Sequence, residues 1–388
     1  MKNILFLEQF SNISGGQRVL LNTIAGLDRT KYLPFVIVPG KGELTGELEK
    51  LGIRYSALPI GNYSAGRKNI IDIISYVLRT ILLIPLTMRL IKREKIDLVY
   101  ANAPRTFIFS ACAARLCRVP VIWHLHSILS GIELRALAFA LKRNVSAMIA
   151  VSNSVAAPFL RVNGTLKTKM NVVYNGIDQT ELAELSPSAK LISEFGITSK
   201  TKVVTFIGQL VKWKGIEDLV RAASLVLKRN ADSKFLIVGD VVFGDKKQER
   251  YKNYIKQLAI DLGIGDRIIF TGRRSDIADI LSITSLVVIP SIEPDPCPLV
   301  LLEAMAAGKA VVSSAHGGPG EIIKDGFSGR LYPQGNVPEL YRTIVDIISS
   351  PDLVKRLGDN ARQTAKKDLT LEKYLSKVSG LIDKVLVS

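Results

Sequence analysis

Cysteine is scarce in this chain of 388 residues. The three cysteines, Cys112, Cys117 and Cys297, are too few and too scattered to form a disulfide framework or a cysteine-based metal site. The N-terminus offers only a short apolar run within residues 1–10, which is more typical of a first β-strand than of a secretory signal. We therefore expect a protein of a reducing compartment, the cytoplasm.

Acidic residues are also in short supply. The chain has 52 Lys and Arg against 35 Asp and Glu, a formal net charge of +17, and the excess is concentrated in the first half. Such an excess indicates an anionic partner, which could be a nucleic acid, a phosphorylated substrate or a membrane surface. Nucleic acid is the least favoured of these, because the sequence lacks the interleaving of aromatic and basic residues and any recognised nucleic-acid-binding module.

The composition, 47% hydrophobic and 22% charged, is that of a globular protein and argues against disorder. Apolar strand-like runs alternate with helical patterns, which predicts parallel sheets covered by helices. The length fits two domains, since single cores rarely grow beyond about 250–300 residues. A second strand-and-helix series begins at residues 202–210, after a polar stretch, residues 179–201, that contains Pro187 and is a linker candidate. The predicted fold is α/β, with two doubly wound halves.

A glycine turn, Ser14-Gly15-Gly16, separates the first predicted strand from a helix expected from Gln17 to Leu27. Strand, glycine turn and helix is an arrangement that places backbone N–H groups against an anion or a substrate. The glycines do not follow the G-x-G-x-x-G spacing of dinucleotide-binding turns. A tight turn without a ligand is the alternative interpretation.

Residues 60–95 are strongly apolar but rich in basic side chains. The charges at Asp72, Arg79 and Arg89 and the break at Pro85 argue against a bilayer span. Basic heads beside apolar bodies suit a helix lying on an anionic membrane, and an ordinary core helix is the alternative. The basic residues of the segment are Arg67, Lys68, Arg79, Arg89, Lys92, Arg93 and Lys95.

Two histidines, His124 and His126, end the predicted strand 119–127. Residues two apart in a strand point to the same face, here at the carboxyl edge of the sheet where ligands collect. The pair lacks carboxylates or thiols at suitable spacing, so we expect no metal site. One of the two histidines could also be an ordinary buried residue at a strand end.

The most informative stretch is residues 290–321, PSIEPDPCPLVLLEAMAAGKAVVSSAHGGPGE. It predicts a strand end, a proline-rich loop, a helix opening near Leu299, a short strand and a Gly-Gly turn. Asp295 and Glu303 are eight positions apart, about two helical turns, so both carboxylates could line one cleft. By themselves they could equally be a capping acid and a solvated glutamate.

These blocks resemble, in order, the retaining glycosyltransferases of family 4, the group 1 transferases. The match is most specific over 203–330, through FIGQLVKWKG, LIVGD, IIFTGRRSDI and residues 290–321, and looser in SGGQRVL, DLVYAN, WHLHS, AVSNSV and VYNGID. The resemblance implies the GT-B architecture, two Rossmann-like domains facing across a cleft. We expect an acceptor-binding domain over 1–182, a nucleotide-sugar domain over 183–367 and a last helix, 368–388, that packs back on the first domain.

The resemblance also implies roles for individual residues. Lys214 matches the lysine that contacts the donor diphosphate, and the N–H groups of Leu299 and Val300 would face the same phosphates. Glu303 matches the acid that binds the ribose hydroxyls, and Asp295 the acid that contacts the donor sugar. His126 matches the histidine facing the transferred sugar, and Gly15 and Gly16 match the loop near donor and acceptor.

Two departures from the family pattern matter. Gln209 stands where the family commonly has arginine, so Lys214 would carry more of the diphosphate charge, helped by Lys212 or Arg273. The first acid is Asp295 where the family has glutamate. Glu293, two residues earlier, is the alternative for that role.

The sequence has no D-x-D triplet of the kind found in metal-dependent transferases, so we expect a metal-independent enzyme with no cofactor. Its donor would be a UDP-, GDP- or similar nucleotide sugar, and the leaving phosphate would assist deprotonation of the acceptor. A glycan or lipid-linked acceptor, synthesis of cell-envelope polysaccharide and location at the inner face of the membrane are expected. The alternatives are a sugar-nucleotide epimerase or phosphorylase of the same fold, and a basic protein that binds nucleic acid or membrane.

Overall fold

A computed structural model describes residues 1–61, 70–131, 134–135, 137–138, 145–241 and 245–387, with the backbone alone at 70–73. The chain divides into two compact units, Met1–Gly176 with Leu371–Ser388 and Ile177–Thr370. Arg67, Lys68 and the side chain of Asp72, named above as part of the basic and apolar segment, lie outside the described residues.

The first unit contains a parallel sheet of seven strands in the order β3-β2-β1-β4-β5-β6-β7. The inner strands are nearly continuous apolar runs, as expected for strands buried on both faces, and residues 4–7 of the first strand are fully buried. The strands are β1 (Lys2–Leu7), β2 (Tyr32–Val38), β3 (Arg54–Ala57), β4 (Leu98–Ala101), β5 (Val121–Leu125), β6 (Ala147–Ala150) and β7 (Met170–Val172). The described helices that precede the second unit are α1 (Gly15–Ala25), α2 (Glu43–Lys50), α3 (Ile70–Arg93), α4 (Pro104–Cys117) and α5 (Asn153–Val162).

The second unit repeats this plan with six parallel strands in the order β10-β9-β8-β11-β12-β13. Its strands are β8 (Lys202–Ile207), β9 (Ser233–Val238), β10 (Ile268–Gly272), β11 (Leu286–Ile289), β12 (Ala310–Ser314) and β13 (Arg330–Tyr332). The helices are α6 (Ala189–Glu194), α7 (Ile216–Arg229), α8 (Lys246–Asp261), α9 (Ile277–Ile283), α10 (Leu299–Ala306), α11 (Gly318–Ile322), α12 (Val337–Ile348) and α13 (Pro351–Asp368).

Strand order reverses once in each sheet, beside its first strand. In the first unit β1 pairs with both β2 and β4, and in the second β8 pairs with both β9 and β11. The crossovers on the two sides of such a switch point leave in opposite directions, which opens a crevice at the carboxyl ends of the strands. The loops after β1 and β4, and those after β8 and β11, are therefore the places where ligands are expected.

The last helix, α14 (Leu371–Val387), belongs to the first unit. Its buried residues recur every three or four positions, which marks one helical face: Tyr374, Val378, Ile382 and Val385. The hydroxyl of Tyr374 lies 2.6 Å from the hydroxyl of Thr23 on α1. Tyr32 also donates a hydrogen bond to Asp383, so polar contacts as well as apolar packing hold α14 on the first unit.

One local expectation is wrong, and two others change in detail. The polar stretch 179–201 is part of the second unit and not a linker, because Leu191 on α6 and Phe195 after it are buried in that unit's core with Val203, Leu236 and Ile280. The Gly-Gly turn after β12 is in addition the start of a short helix, α11. Helix α1 begins two residues earlier than predicted, at Gly15.

Candidate functional site

The turn that carries Lys214 lies at the switch point of the second unit. After β8 and Gln209 the chain forms a short 3-10 turn, Lys212–Lys214, and then enters α7 through Gly215. Gly215 has φ +70°, and a Cβ there would lie 1.8 Å from the carbonyl oxygen of Pro290 after β11. Only glycine allows this approach, which fixes the turn against the end of the neighbouring strand.

Lys214 forms a buried ion pair with Asp295. Its Nζ lies 2.5 Å from the Oδ2 of Asp295, and the two side chains are only 14% and 5% exposed. The ammonium group also lies 4.3 Å from the centroid of the Trp213 ring. Since a buried charge without a partner costs several kcal/mol, each member of the pair holds the other in place.

A second glycine contact fixes the loop that carries Asp295. The carbonyl oxygen of Asp295 accepts a hydrogen bond of 2.7 Å from the N–H of Gly318. Gly317 has φ +72°, and a Cβ there would lie 2.3 Å from the same oxygen. Glu293 is exposed, whereas Asp295 is 4% exposed, so the structure orders Asp295 more firmly than the alternative acid.

His316 lies directly before these glycines and is not among the residues predicted from the sequence. Burial lowers the pKa of His316, and the nearby carboxylate of Asp295 opposes that shift. Within the described part of the chain, neither buried ring nitrogen of His316 has a hydrogen-bond partner. The only sequence signal was its place beside a Gly-Gly pair, which does not distinguish a site residue from a turn residue.

Helix α10 begins at Leu299, as predicted from the sequence, and it begins after a proline at the N-cap. Pro298 has no side-chain acceptor, and within the described part of the chain the N–H groups of Leu299 and Val300 make no hydrogen bond, so they remain available to a ligand. Both residues are half-buried, as is Glu303 one turn later. The arrangement offers an anion the positive end of the helix dipole.

The other basic candidates of this unit differ in what surrounds them. Lys212 and Arg273 are exposed, and Gln209 is half-buried. Arg274, next to Arg273, donates to both Glu194 and Asp276, which raises the pKa of its guanidinium. Its charge is more than balanced by these two carboxylates, and among the predicted cations Lys214 is the one that is largely buried and held by a single carboxylate.

In the first unit, the predicted residues Gly16 and His126 lie close together. A Cβ built on Gly16 would be 3.7 Å from Cγ of His126, so the glycine turn passes against the imidazole ring, whereas Gly15 has open space beside it. The Nε2 atom of His126 lies 2.9 Å from Oδ1 of Asn102, and burial lowers the pKa of His126 to about 3. The imidazole is therefore neutral at physiological pH.

His124 is fully buried behind His126, and the two ring centroids are 3.9 Å apart. The Nδ1 atom of His124 lies 2.8 Å from the hydroxyl of Tyr100. The described residues contain no group of three or more His, Cys, Asp or Glu side chains that could hold a metal ion.

Two Rossmann-like units with residues collected at their switch points define the class of GT-B proteins, and comparisons with known proteins agree. The family model described as Glycosyltransferase Family 4 matches residues 13–181, and that described as Glycosyl transferases group 1 matches residues 188–364. An uncharacterized glycosyltransferase of Methanocaldococcus jannaschii is 30% identical over 298 residues, which is 72% of each chain. This protein belongs to the group 1 glycosyltransferases.

Two further relatives have described activities or ligands. A UDP-Gal:alpha-D-GlcNAc-diphosphoundecaprenol alpha-1,3-galactosyltransferase of Escherichia coli is 25% identical over 77% of this chain and 78% of its own. The crystal structure of Anabaena HepE in complex with UDP-glucose is 25% identical, with a TM-score of 0.85 over 99% of this chain and 100% of that one. HepE has also been crystallised with UDP and with UDP and glucose.

Substitution of Gly215 should destabilise the second unit more than a matched glycine substitution. Gly335 has almost the same φ, +69°, but has no atom within 4 Å of an added Cβ. Gly335→Ala should cost only the left-handed strain, about 1–2 kcal/mol. Gly215→Ala must also displace the backbone at Pro290, so its unfolding midpoint should fall clearly below that of Gly335→Ala. Equal midpoints would contradict the packing described for this turn.

Comparing the stabilities of Asp295→Asn and Glu293→Gln shows which of the two acids of the loop is paired with Lys214. Asp295→Asn keeps the shape but removes the charge that faces Lys214, so we expect a loss of about 1–3 kcal/mol in unfolding free energy. Glu293→Gln changes an exposed side chain and should stay within about 0.5 kcal/mol of the wild type. Denaturant titration measures both, and a larger effect at Glu293 would reverse the assignment.

Proposed function

We propose that this protein transfers a sugar, with retention, from a nucleoside-diphosphate sugar to an acceptor hydroxyl. The observation that carries the proposal is Lys214, a cation held at the switch point of the second unit beside Asp295. Negative charge grows on the leaving diphosphate during transfer, and a cation fixed in advance stabilises that charge without reorganisation. The HepE complexes with UDP and UDP-glucose support a nucleotide-sugar donor.

Each side chain of the second unit then has a task that suits its chemistry. Lys214 has three N–H donors, so it can remain paired with Asp295 while it donates to a phosphate oxygen. The free N–H groups at the start of α10 would face the same diphosphate. Glu303 would accept hydrogen bonds from the ribose hydroxyls, and Asp295 from a hydroxyl of the donor sugar.

Gln209 stands where the family commonly has an arginine, but other cations of the second unit can stabilise the donor diphosphate. Arg274 faces two carboxylates, those of Glu194 and Asp276, whereas Lys214 faces one and can donate further N–H groups to a phosphate, so Lys214 would supply most of the fixed charge. Arg273 and Lys212 are exposed and would contribute less, because solvent screens exposed charges. We propose that no metal ion is needed and that the leaving phosphate takes the proton of the acceptor hydroxyl.

Binding of the donor should be visible as stabilisation. A nucleotide sugar at about 100 times its Kd should stabilise the folded wild-type chain by about 2.7 kcal/mol. A thermal-shift screen over UDP- and GDP-sugars should therefore raise the unfolding temperature for at least one donor, and Glu303→Ala should reduce that rise. Glu339→Ala, which alters a partly exposed acid on α12, is the control and should leave the rise unchanged.

The same donor should release free nucleoside diphosphate when an acceptor is present, which separates a transferase from an epimerase. Lys214→Ala should lower this release by about tenfold or more, as expected for loss of a group that stabilises the departing charge. Full activity in both Lys214→Ala and Glu303→Ala would contradict the proposed site.

We also propose that the acceptor is a glycan or lipid-linked saccharide reached at the cytoplasmic surface of a membrane. Helix α3 carries the argument because five large apolar side chains on one stripe of it are about half exposed or more: Ile74, Val77, Leu78, Ile81 and Leu82. They recur at i, i+3, i+4, i+7 and i+8, which is the spacing of one helical face. Arg79, Arg89, Lys92 and Arg93 are exposed on the same helix.

A helix with an exposed apolar stripe and exposed basic side chains is suited to an anionic bilayer surface. The stripe of α3 would insert to the depth of the lipid headgroups, and its basic side chains would contact their negative charges. Among the described residues, Ile74–Arg93 is also the one helix long and apolar enough to cross a membrane, which by itself is weak evidence. The diphosphoundecaprenol acceptor in the name of the Escherichia coli relative is consistent with a lipid-linked acceptor here.

Vesicle binding tests this surface. Wild-type protein should sediment with phosphatidylglycerol vesicles more than with phosphatidylcholine vesicles, and the triple substitution Leu78→Asn, Ile81→Asn, Leu82→Asn should weaken partitioning at least tenfold. The matched control replaces two equally exposed apolar residues elsewhere, Leu116→Asn and Ile260→Asn, and should bind like the wild type. Unchanged binding of the triple variant would exclude α3 as the membrane surface.

A further inference from the structure

Three polar residues follow three neighbouring strands at the switch point of the first unit. Glu8 comes directly after β1, Asn102 after β4 and His126 after β5, and these strands are adjacent in the sheet. Hydrogen bonds join the three side chains in a row, from Glu8 to Asn102 and from Asn102 to His126. Of the three, only His126 was singled out from the sequence.

Glu8 is completely buried and accepts four hydrogen bonds from uncharged N–H groups. Its Oε1 accepts from the backbone N–H of Gln9 at 2.7 Å, that of Phe10 at 3.1 Å and Nε2 of Gln17 at 3.0 Å. Its Oε2 accepts from Nδ2 of Asn102 at 2.7 Å. Burial raises the pKa of Glu8 above its usual value, and the four donors oppose that shift. All four partners donate through N–H groups, three of them to Oε1, so the side chain accepts in every contact.

This carboxylate determines the orientation of the Asn102 amide. The Nδ2 atom of Asn102 donates to Glu8 and also to the carbonyl oxygen of Gly16, at 3.3 Å. The carbonyl oxygen of Gly16 can only accept and requires the amide nitrogen on this side, where the shorter bond to Oε2 of Glu8 also holds it, so the amide oxygen must face the other way. Oδ1 therefore points to Nε2 of His126, 2.9 Å away.

The orientation of Asn102 in turn determines the tautomer of His126. An amide oxygen can only accept, so Nε2 of His126 must carry the hydrogen. Since the ring is neutral, its Nδ1 then has a lone pair and no hydrogen. All hydrogen bonds in the row are thus donated in the same direction, from the imidazole of His126 to the amide of Asn102 and from that amide to the carboxylate of Glu8.

We propose that Glu8 is a positioning residue which, through Asn102, fixes His126 as the Nε2–H tautomer, so that Nδ1 accepts a hydrogen bond from a hydroxyl of the transferred sugar. This proposal rests on the proposed function, because it takes the ligand of His126 to be that sugar. A sugar hydroxyl suits the site chemically, since it can donate to a lone pair, whereas an ionised phosphate or carboxylate cannot. Glu8 itself touches no substrate in this scheme.

The substitution Glu8→Gln should reverse the direction of the row. Three N–H groups donate to Oε1 of Glu8. In the variant the amide oxygen of the new side chain must take the place of Oε1 to accept them, so its NH2 group must face Asn102. Asn102 would then give up its longer bond to the carbonyl of Gly16, turn its oxygen toward residue 8 and its nitrogen toward His126, and His126 would become the Nδ1–H tautomer. Glu43→Gln is the matched control, because Glu43 also accepts a backbone N–H of the glycine loop, that of Ile13, but lies outside the row.

Nitrogen-15 NMR of histidine-labelled protein reads the tautomer directly, and the chain has only three histidines to assign. We expect Nε2–H for His126 in the wild type and in Glu43→Gln, and Nδ1–H in Glu8→Gln. We also expect kcat/KM for the nucleotide sugar to fall about tenfold or more in Glu8→Gln, with the Kd for the nucleoside diphosphate unchanged.

The wild-type spectrum alone can overturn the inference, so the test does not depend on the folding of a variant. An Nδ1–H or doubly protonated His126 at pH 7 in an active transferase would exclude the relay and leave the proposed function standing. An unchanged tautomer in folded Glu8→Gln would equally exclude it. The predicted tautomers in a protein that transfers no sugar would instead overturn the proposed function and the hydroxyl ligand with it.

Discussion

The buried contact between Lys214 and Asp295 is the constraint on which the second unit's site depends. A cation and a carboxylate that are 14% and 5% exposed must meet, since either alone would be costly to bury. The close approaches of Gly215 to Pro290 and of Gly317 to Asp295 are what bring the two loops within reach. The pair holds the ammonium group of Lys214 in one place at this switch point.

The first unit also has a buried charged group at the switch point of its sheet, Glu8, but this group is stabilised in a different way. Strand order reverses between β1 and β4 there, as it does between β8 and β11 in the second unit. Glu8 is stabilised by four neutral donors rather than by a cation, and its charge orients Asn102 and His126. One switch point thus presents a positive charge, and the other presents a neutral imidazole of defined tautomer.

Much of the fold was predictable because buried parallel strands are nearly continuous apolar runs. The strands predicted at 119–127 and 202–210, for example, are found at Val121–Leu125 and Lys202–Ile207. Family motifs in the sequence pointed to Lys214, Asp295 and His126. Glu8 and Asn102 escaped notice because they are 94 positions apart, and only the strand order brings them together. The segment 179–201 was wrongly predicted to be a linker because most of its residues are polar. Its buried residues Leu191 and Phe195 are separated by polar ones and form no apolar run.

The central claim is that the switch point of the second unit binds the diphosphate of the donor. A crystal structure of the protein crystallised with UDP tests it most directly. We expect phosphate oxygens within hydrogen-bond distance of Lys214 Nζ and of the N–H groups of Leu299 and Val300, with the ribose hydroxyls on Glu303. A nucleotide bound elsewhere, with Lys214 paired to Asp295 and touching no phosphate, would contradict it.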